Sequence, residues 1–114
     1  MEQSKGNALD RYQEAAGRTR NSKLVPALEL SNYGLGLGGE AGEVQELIKK
    51  HIGHGHELPR DQLTKELGDT LWYLANIAAM NDIKLSEVAA KNIDKLKKRY
   101  PAGFSEKDSI NRKE

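Results

Sequence analysis

The sequence predicts an all-α protein, a compact bundle of about four to five helices that assembles as a homo-oligomer. The chain has 14 Leu and 11 Ala against three Val, six Ile and three Thr, and this composition favours helix over strand. Apolar residues recur at three- and four-residue steps, and no stretch alternates as a strand would. With 114 residues we expect one domain, over 1–104, and a polar tail, over 105–114. A single core of this size makes self-association plausible.

Composition excludes several classes of function. The 18 basic and 17 acidic side chains nearly cancel, so we expect no nucleic-acid binding. No apolar stretch approaches the ~20 residues that span a bilayer, and the first ten residues lack the apolar centre of a secretion signal. We therefore expect a cytoplasmic protein with no membrane association. Without cysteine there is no disulfide, thiolate metal site or cysteine nucleophile, so the chemistry must use oxygen and nitrogen groups.

The first half of the chain predicts two helices. The first runs from Ala8 to Arg18, with apolar residues on one face. Pro26 suits the first turn of the second, which continues to about Lys50. The segment HIGHGHELPR that follows contains two Gly and one Pro, which break the periodicity and predict a loop.

The second half predicts two more helices. One begins with Asp61 as its cap and runs to Met80, with leucines at regular helical spacing. Ser86 is the predicted N-cap of the other, which Pro101 ends.

Two pairs of acids lie at the border of apolar helix faces. Glu40 and Glu43 are three residues apart on the second helix, and Glu66 and Asp69 repeat this spacing on the third. Side chains at i and i+3 project from the same side of a helix. A short loop favours antiparallel packing, so the two pairs are expected to face each other as a nest of four carboxylates.

Such a nest needs protons or a cation to neutralise it. Two like charges ~4 Å apart repel by roughly 4 kcal/mol at an effective dielectric constant near 20. Oxygen ligands without sulfur or imidazole suit a hard ion, Mg²⁺ or alternatively Mn²⁺. The alternative is an ordinary solvated face with ion pairs such as Glu46 with Lys50. Glu40 and Glu43 have no base within four residues, which favours the metal site.

Two segments of the sequence resemble those of a known family. The pattern Glu-x-x-Glu, a gap of 22 residues, then Glu-x-x-Asp followed by TLWYLA resembles the MazG-like family of all-α nucleoside triphosphate pyrophosphohydrolases. The segment KNIDKLKKRYPAGF, from Lys91 to Phe104, resembles the basic segment of the same family. Together these features span about Leu30 to Phe104.

The resemblance implies a helical bundle assembled as dimers or tetramers. It also implies Mg²⁺-dependent cleavage of a nucleotide between its α- and β-phosphates, which releases a monophosphate and pyrophosphate. Carried over by position, the metal ligands and catalytic residues would be Glu40, Glu43, Glu66 and Asp69. One or more of them would also orient the attacking water.

Substrate contacts are expected from the fourth helix. Asn92, Lys95 and Arg99 lie at i, i+3 and i+7, so their amide and cationic donors share one face and could hold a phosphate chain. The alternative is a solvated basic face. The tail after Phe104 either folds over the phosphates of the same or a neighbouring subunit, or frays.

Three further residues are candidates for substrate binding. Trp72, three residues after Asp69, either stacks on a base or is part of the core. Gln13 and Asn32 fall near the substrate pocket of the family that the sequence resembles.

We therefore predict an Mg²⁺-dependent (deoxy)nucleoside triphosphate pyrophosphohydrolase whose partner is a small-molecule nucleotide. Within the same fold, the alternative substrates are dUTP, dCTP or a phosphoribosyl nucleotide. From a different class, the chain could be a non-catalytic helical adaptor, which would not need four acids at these spacings. A homodimer or homotetramer is expected.

Overall fold

The structure, a computed structural model, describes residues 6–21 and 23–112, and every regular element in this part is a helix. It confirms the predicted all-α class. The elements are α1 (Ala8–Ala16), a 3₁₀ turn (Gly17–Thr19), α2 (Pro26–Gly53), α3 (Arg60–Met80), α4 (Leu85–Arg99) and α5 (Glu106–Ile110). None of the described helices is long and apolar enough to cross a membrane.

The long hairpin of α2 and α3 is the main packing unit. The two helices run antiparallel, and Gly36 of α2 faces the ring of Tyr73 of α3. The ring centroids of Tyr33 and Trp72 lie 5.2 Å apart, and those of Trp72 and Tyr73 lie 5.0 Å apart. This aromatic cluster holds the two helices together at one level of the hairpin.

Helix α1 fastens the turn between α3 and α4. The side-chain amide of Gln13 donates to the carbonyls of Ala75 at 3.1 Å and Ile83 at 2.9 Å, and its oxygen accepts from the backbone N–H of Leu85 at 2.9 Å. Asp10 accepts from the N–H and the hydroxyl of Ser86 at 2.9 and 2.7 Å. These hydrogen bonds from Ser86 lower the pKa of Asp10 and satisfy orphan donors at the start of α4.

An ion pair joins the chain that follows the 3₁₀ turn to the start of α2. Glu29 is only 4% exposed and accepts from Nε and an Nη of Arg20 at 3.0 and 2.9 Å. The hydrogen bond from Arg20 lowers the pKa of Glu29. The hydroxyl of Tyr33 accepts from the N–H of Asn21 at 3.1 Å, so the chain is tied to α2 by two neighbouring contacts.

Two predicted helix caps are wrong. Asp61 lies inside the first turn of α3 and pairs with Lys65 at 3.1 Å, because α3 begins one residue earlier, after Pro59. Ser86 also lies inside its helix, since α4 begins after Lys84, and its hydroxyl is taken by Asp10.

The other boundaries differ more modestly. The first helix ends at Ala16 and continues as a 3₁₀ turn. Helix α2 extends to Gly53, into the predicted loop, and the N–H of His54 donates to the carbonyl of Lys50. The predicted polar tail contains α5, whose N-cap Ser105 accepts from the N–H of Asp108 at 3.0 Å.

We predict that alanine at Gly36 and at Gly42 have opposite effects on stability. A Cβ at Gly36 would overlap the ring of Tyr73, whereas one at Gly42 meets nothing within 4 Å. Gly36→Ala should destabilise by about 1–3 kcal/mol through overpacking. Gly42→Ala should stabilise by about 0.5–1 kcal/mol through helix propensity. Thermal unfolding of both variants checks the prediction, and equal melting temperatures would contradict it.

Candidate metal centre

Three carboxylates from α2 and α3 converge on one point of the hairpin. Glu40, Glu43 and Glu66 each offer an oxygen that lies within 4.8 Å of the other two. Glu40 and Glu43 are one turn apart on α2, and the antiparallel packing brings Glu66 of α3 opposite them. These three acids form the carboxylate cluster.

The electrostatics of the carboxylate cluster show that its members are close enough to repel. The pKa of Glu43 is raised above its ordinary value of 4.5, first by a hydrogen bond with Glu66 and then by the negative charge of Glu66. A hydrogen bond between two carboxyl groups requires a shared proton, so the cluster favours a bound positive charge. Oε2 of Glu66 is shielded from solvent and has no hydrogen-bond partner within the described residues.

This donor set fits a hard divalent cation. All the converging atoms are carboxylate oxygens, the ligands that Mg²⁺ and Mn²⁺ accept. No described residue donates to Oε2 of Glu66, and a cation would coordinate this oxygen. The three residues could therefore hold a metal ion in place of the shared proton.

Asp69 lies at the edge of this site. It is exposed, one turn beyond Glu66 on α3, and is not among the three acids within 4.8 Å of one another. Its charge nevertheless contributes to the raised pKa of Glu43. It also adds to the raised pKa of Tyr12, for which burial is the larger cause. Asp69 thus lies between the carboxylate cluster and α1.

Trp72 belongs to the aromatic cluster of the hairpin. Its indole N–H donates to the hydroxyl of Thr19 at 2.8 Å, and its half-buried ring contacts Tyr33 and Tyr73. The core alternative considered for this residue accounts for these contacts. Thr19 and Trp72 are 53 residues apart in the sequence, so no local sequence pattern predicts their hydrogen bond.

The remaining predicted substrate residues lie on α1, α2 and α4. Both polar side-chain atoms of Gln13 are hydrogen-bonded to the backbone, and Asn32 is exposed on α2. Asn92 and Lys95 line a shallow cavity of about 370 Å³ on α4. Among the described residues, neither Asn92 nor Lys95 forms a hydrogen bond or ion pair with the four predicted acids. Arg99 is half-buried at the end of α4.

Comparison with known proteins identifies the family. The model of the MazG nucleotide pyrophosphohydrolase domain matches residues 29–104. The chain belongs to the MazG family. It is also 39% identical over 87 residues to the Gene 37 protein of Mycobacterium phage L5, which covers 73% of this chain and 76% of that protein. No solved structure matches the chain significantly. The MazG match contains all four predicted acids and confirms the resemblance.

We predict that Glu43→Gln stabilises the metal-free protein at neutral pH. Because the folded-state pKa of Glu43 is raised, the folded protein binds more protons than the unfolded chain between the two pKa values, and stability falls as pH rises through that window. In EDTA the variant should melt higher than the wild type near pH 7.5, and the difference should shrink near pH 4.

The matched control is Glu46→Gln on the same helix. Glu46 lies 3.9 Å from Lys50 in an exposed ion pair, so its removal should bring no gain at neutral pH. The same melting curves decide the outcome. Equal behaviour of the two variants would show that Glu43 is not repelled by its neighbours.

Proposed function

We propose that this MazG protein hydrolyses nucleoside or deoxynucleoside triphosphates between the α- and β-phosphates, giving a nucleoside monophosphate and pyrophosphate. The observation that carries the proposal is the convergence of Glu40, Glu43 and Glu66 within the matched domain. A triphosphate carries about four negative charges, so an acidic site accepts it only with cations in between.

The acids have distinct proposed roles. Glu40, Glu43 and Glu66 would hold Mg²⁺, or Mn²⁺ as a substitute, and Asp69 would complete the ligand set or orient the attacking water from its exposed position at the edge. When bound, the ion would neutralise phosphate charge and lower the pKa of the attacking water. Because the pKa of Glu43 is raised, any proton that this carboxyl group holds would leave when the ion binds.

Substrate contacts are assigned to polar groups outside the carboxylate cluster. Asn92, Lys95 and Arg99 on α4 would donate to the phosphate chain. Trp72, whose ring is fixed by Thr19 and partly exposed, would contact the base. Gln13 and Asn32 complete the set proposed from the family resemblance.

The alternative functions differ from the proposed activity in what the protein would bind or hydrolyse. Relatives of this fold acting on dUTP, dCTP or a phosphoribosyl nucleotide would share the acids and differ in the base or sugar pocket. A non-catalytic adaptor would have no use for three carboxylates that repel one another. A panel of natural nucleotides, each assayed with Mg²⁺ and with a chelator, separates these functions.

We predict that Glu43→Gln and Asp69→Asn each abolish turnover of the preferred triphosphate and leave the fold intact. Removing a negative ligand weakens the metal site, while removing a repulsive charge does not harm packing. Activity with Mg²⁺, identification of the product as pyrophosphate, and circular dichroism check this, with Glu46→Gln as the active control. Release of orthophosphate alone would refute the proposed bond, and full activity of either variant would remove that residue from the site.

We also propose that the protein is a homo-oligomer, a dimer or tetramer, joined through the α2–α3 hairpin. Apolar residues follow each helix at heptad-like steps: exposed Leu30 and Ile48 with half-buried Leu37 and Ala41 on α2, and exposed Leu67 and Leu74, seven apart, on α3. Leu67 is 50% and Leu74 is 45% exposed. Such repeats are typical of helices that pack against further helices.

The shape of the protomer supports the same proposal. Its radius of gyration is 17.2 Å, whereas a compact domain of 100 residues has about 13 Å. The hydrophobic core within the described residues is small, with Ala16, Ala75 and Leu85 at its centre. A second hairpin from another copy would cover the exposed stripes and complete a four-helix bundle.

We predict that Leu67→Glu combined with Leu74→Glu converts the oligomer to a monomer. Two acids in the centre of an apolar helix interface cannot be solvated or paired. Light scattering coupled to size-exclusion chromatography measures the mass. The control is Val88→Glu on α4, a residue of similar exposure (46%), which should leave the oligomer unchanged. An unchanged mass of the double variant would place the interface elsewhere.

A further inference from the structure

Thr19 accepts the hydrogen bond that the indole of Trp72 can donate. The indole N–H is the only polar group of a tryptophan side chain, and it donates to the hydroxyl oxygen of Thr19 at 2.8 Å. The hydroxyl proton of Thr19 is also used, since it donates to the carbonyl of Ala16 at 3.1 Å. Both roles of the hydroxyl are therefore defined, and the contact fixes the direction of the indole N–H.

Thr19 reaches Trp72 from outside the α2–α3 hairpin. It is the last residue of the 3₁₀ turn, and the next residue, Arg20, forms two hydrogen bonds with Glu29 at the start of α2. Thr19 itself is exposed, so its side chain fills no part of the hydrophobic core. The ring of Trp72 thus depends on a hydroxyl whose own contribution to packing is small.

Trp72 lies beside the candidate metal centre. It is one turn beyond Asp69 on α3, and side chains at this spacing project from the same side of a helix. Tyr12 packs with Trp72 against the small core, and the negative charge of Asp69 contributes to the raised pKa of Tyr12. The ring of Trp72 contacts Tyr33 and Tyr73 and is otherwise partly exposed. Its exposed part therefore borders the site at the level of Asp69.

A fixed ring is a better partner for a nucleobase than a mobile one. Aromatic rings attract one another in specific relative orientations, and a side chain that must be ordered when the ligand arrives lowers the affinity several-fold. The hydrogen bond to Thr19 orders Trp72 before any ligand is bound. Because this bond uses the indole N–H, the face of the ring is what Trp72 can offer to a base.

We propose that Thr19 is a positioning residue for the base of the nucleotide. Its hydroxyl holds Trp72 in the orientation in which the ring stacks on the base, and Thr19 does not touch the ligand. This inference rests on the proposed function, which supplies the nucleotide and the contact between Trp72 and its base. It adds a residue that lies outside the matched MazG domain, residues 29–104.

The first test compares Thr19→Val with Thr19→Ser in assays of the preferred triphosphate with Mg²⁺. Valine has nearly the shape of threonine but no hydroxyl, so KM should rise about fivefold while kcat stays within about twofold. Serine keeps the hydroxyl and should restore the KM of the wild type. The control is Thr64→Val, which removes another exposed hydroxyl that donates to a backbone carbonyl, that of Arg60 at 2.8 Å, and should change neither constant.

Two further measurements show whether the effect passes through Trp72 and the base. In the Trp72→Phe background, which has no indole N–H, Thr19→Val should leave KM unchanged. The inhibition constant of tripolyphosphate, which has no base, should be the same for the wild type and Thr19→Val. A change in either quantity would overturn the proposal, because Thr19 would then act on the phosphates or on the fold as a whole.

Spectroscopy of Trp72 separates a failure of this inference from a failure of the proposed function. Trp72 is the only tryptophan of the chain. Without ligand, the near-ultraviolet circular dichroism of the indole should weaken in Thr19→Val and be retained in Thr19→Ser, because only the first variant frees the ring. An unchanged indole signal in Thr19→Val would overturn the positioning role, whether or not the protein hydrolyses nucleotides.

Fluorescence of Trp72 then tests the contact with the base. A nonhydrolysable triphosphate with Mg²⁺ should quench the emission of Trp72, and tripolyphosphate should not. Binding of the triphosphate in calorimetry with unchanged emission would overturn this inference alone. Absence of nucleotide binding would overturn the proposed function and this inference with it.

Discussion

The close approach of α2 and α3 is the constraint on which the candidate site depends. Three carboxylate oxygens within 4.8 Å of one another repel, and only a shared proton or a cation makes this arrangement favourable. The packing of Tyr73 against Gly36 sets the separation of the helices about two turns away from Glu43. An apolar contact thus holds charged groups at a distance that their own electrostatics oppose.

The contacts that stabilise the protomer lie away from these charges. Gln13 and Asp10 join α1 to the α3–α4 turn, and Arg20 with Glu29 joins the following segment to the start of α2. Each of these polar side chains is satisfied by a partner, in contrast to Oε2 of Glu66. Native proteins hydrogen-bond nearly all buried polar atoms, so the unsatisfied oxygen of Glu66 fits a ligand site, although Asn76 in the core also has a buried oxygen without a partner among the described residues.

Sequence reasoning predicted those features that follow from local geometry. Helical periodicity located α2, α3 and α4, and the i, i+3 spacing with a short loop placed Glu40 and Glu43 opposite Glu66. It did not place Asp69 at the edge, because this depends on how α3 is rotated about its axis. It also misassigned Ser86, whose partner Asp10 is 76 residues away, and had no signal for the burial of Glu29.

The apolar stripes and the carboxylate cluster share one hairpin, so the proposed assembly and the proposed metal binding would be linked. A second copy that covered Leu67 and Leu74 would hold α3 rigid on the side that flanks Glu66. The interface would then contribute part of the free energy that offsets the repulsion among the acids. A cation in the cluster would act in the same direction by removing that repulsion. By thermodynamic linkage, whatever favours the packed hairpin favours both events. The oligomer formation and the metal binding that we propose should therefore each strengthen the other.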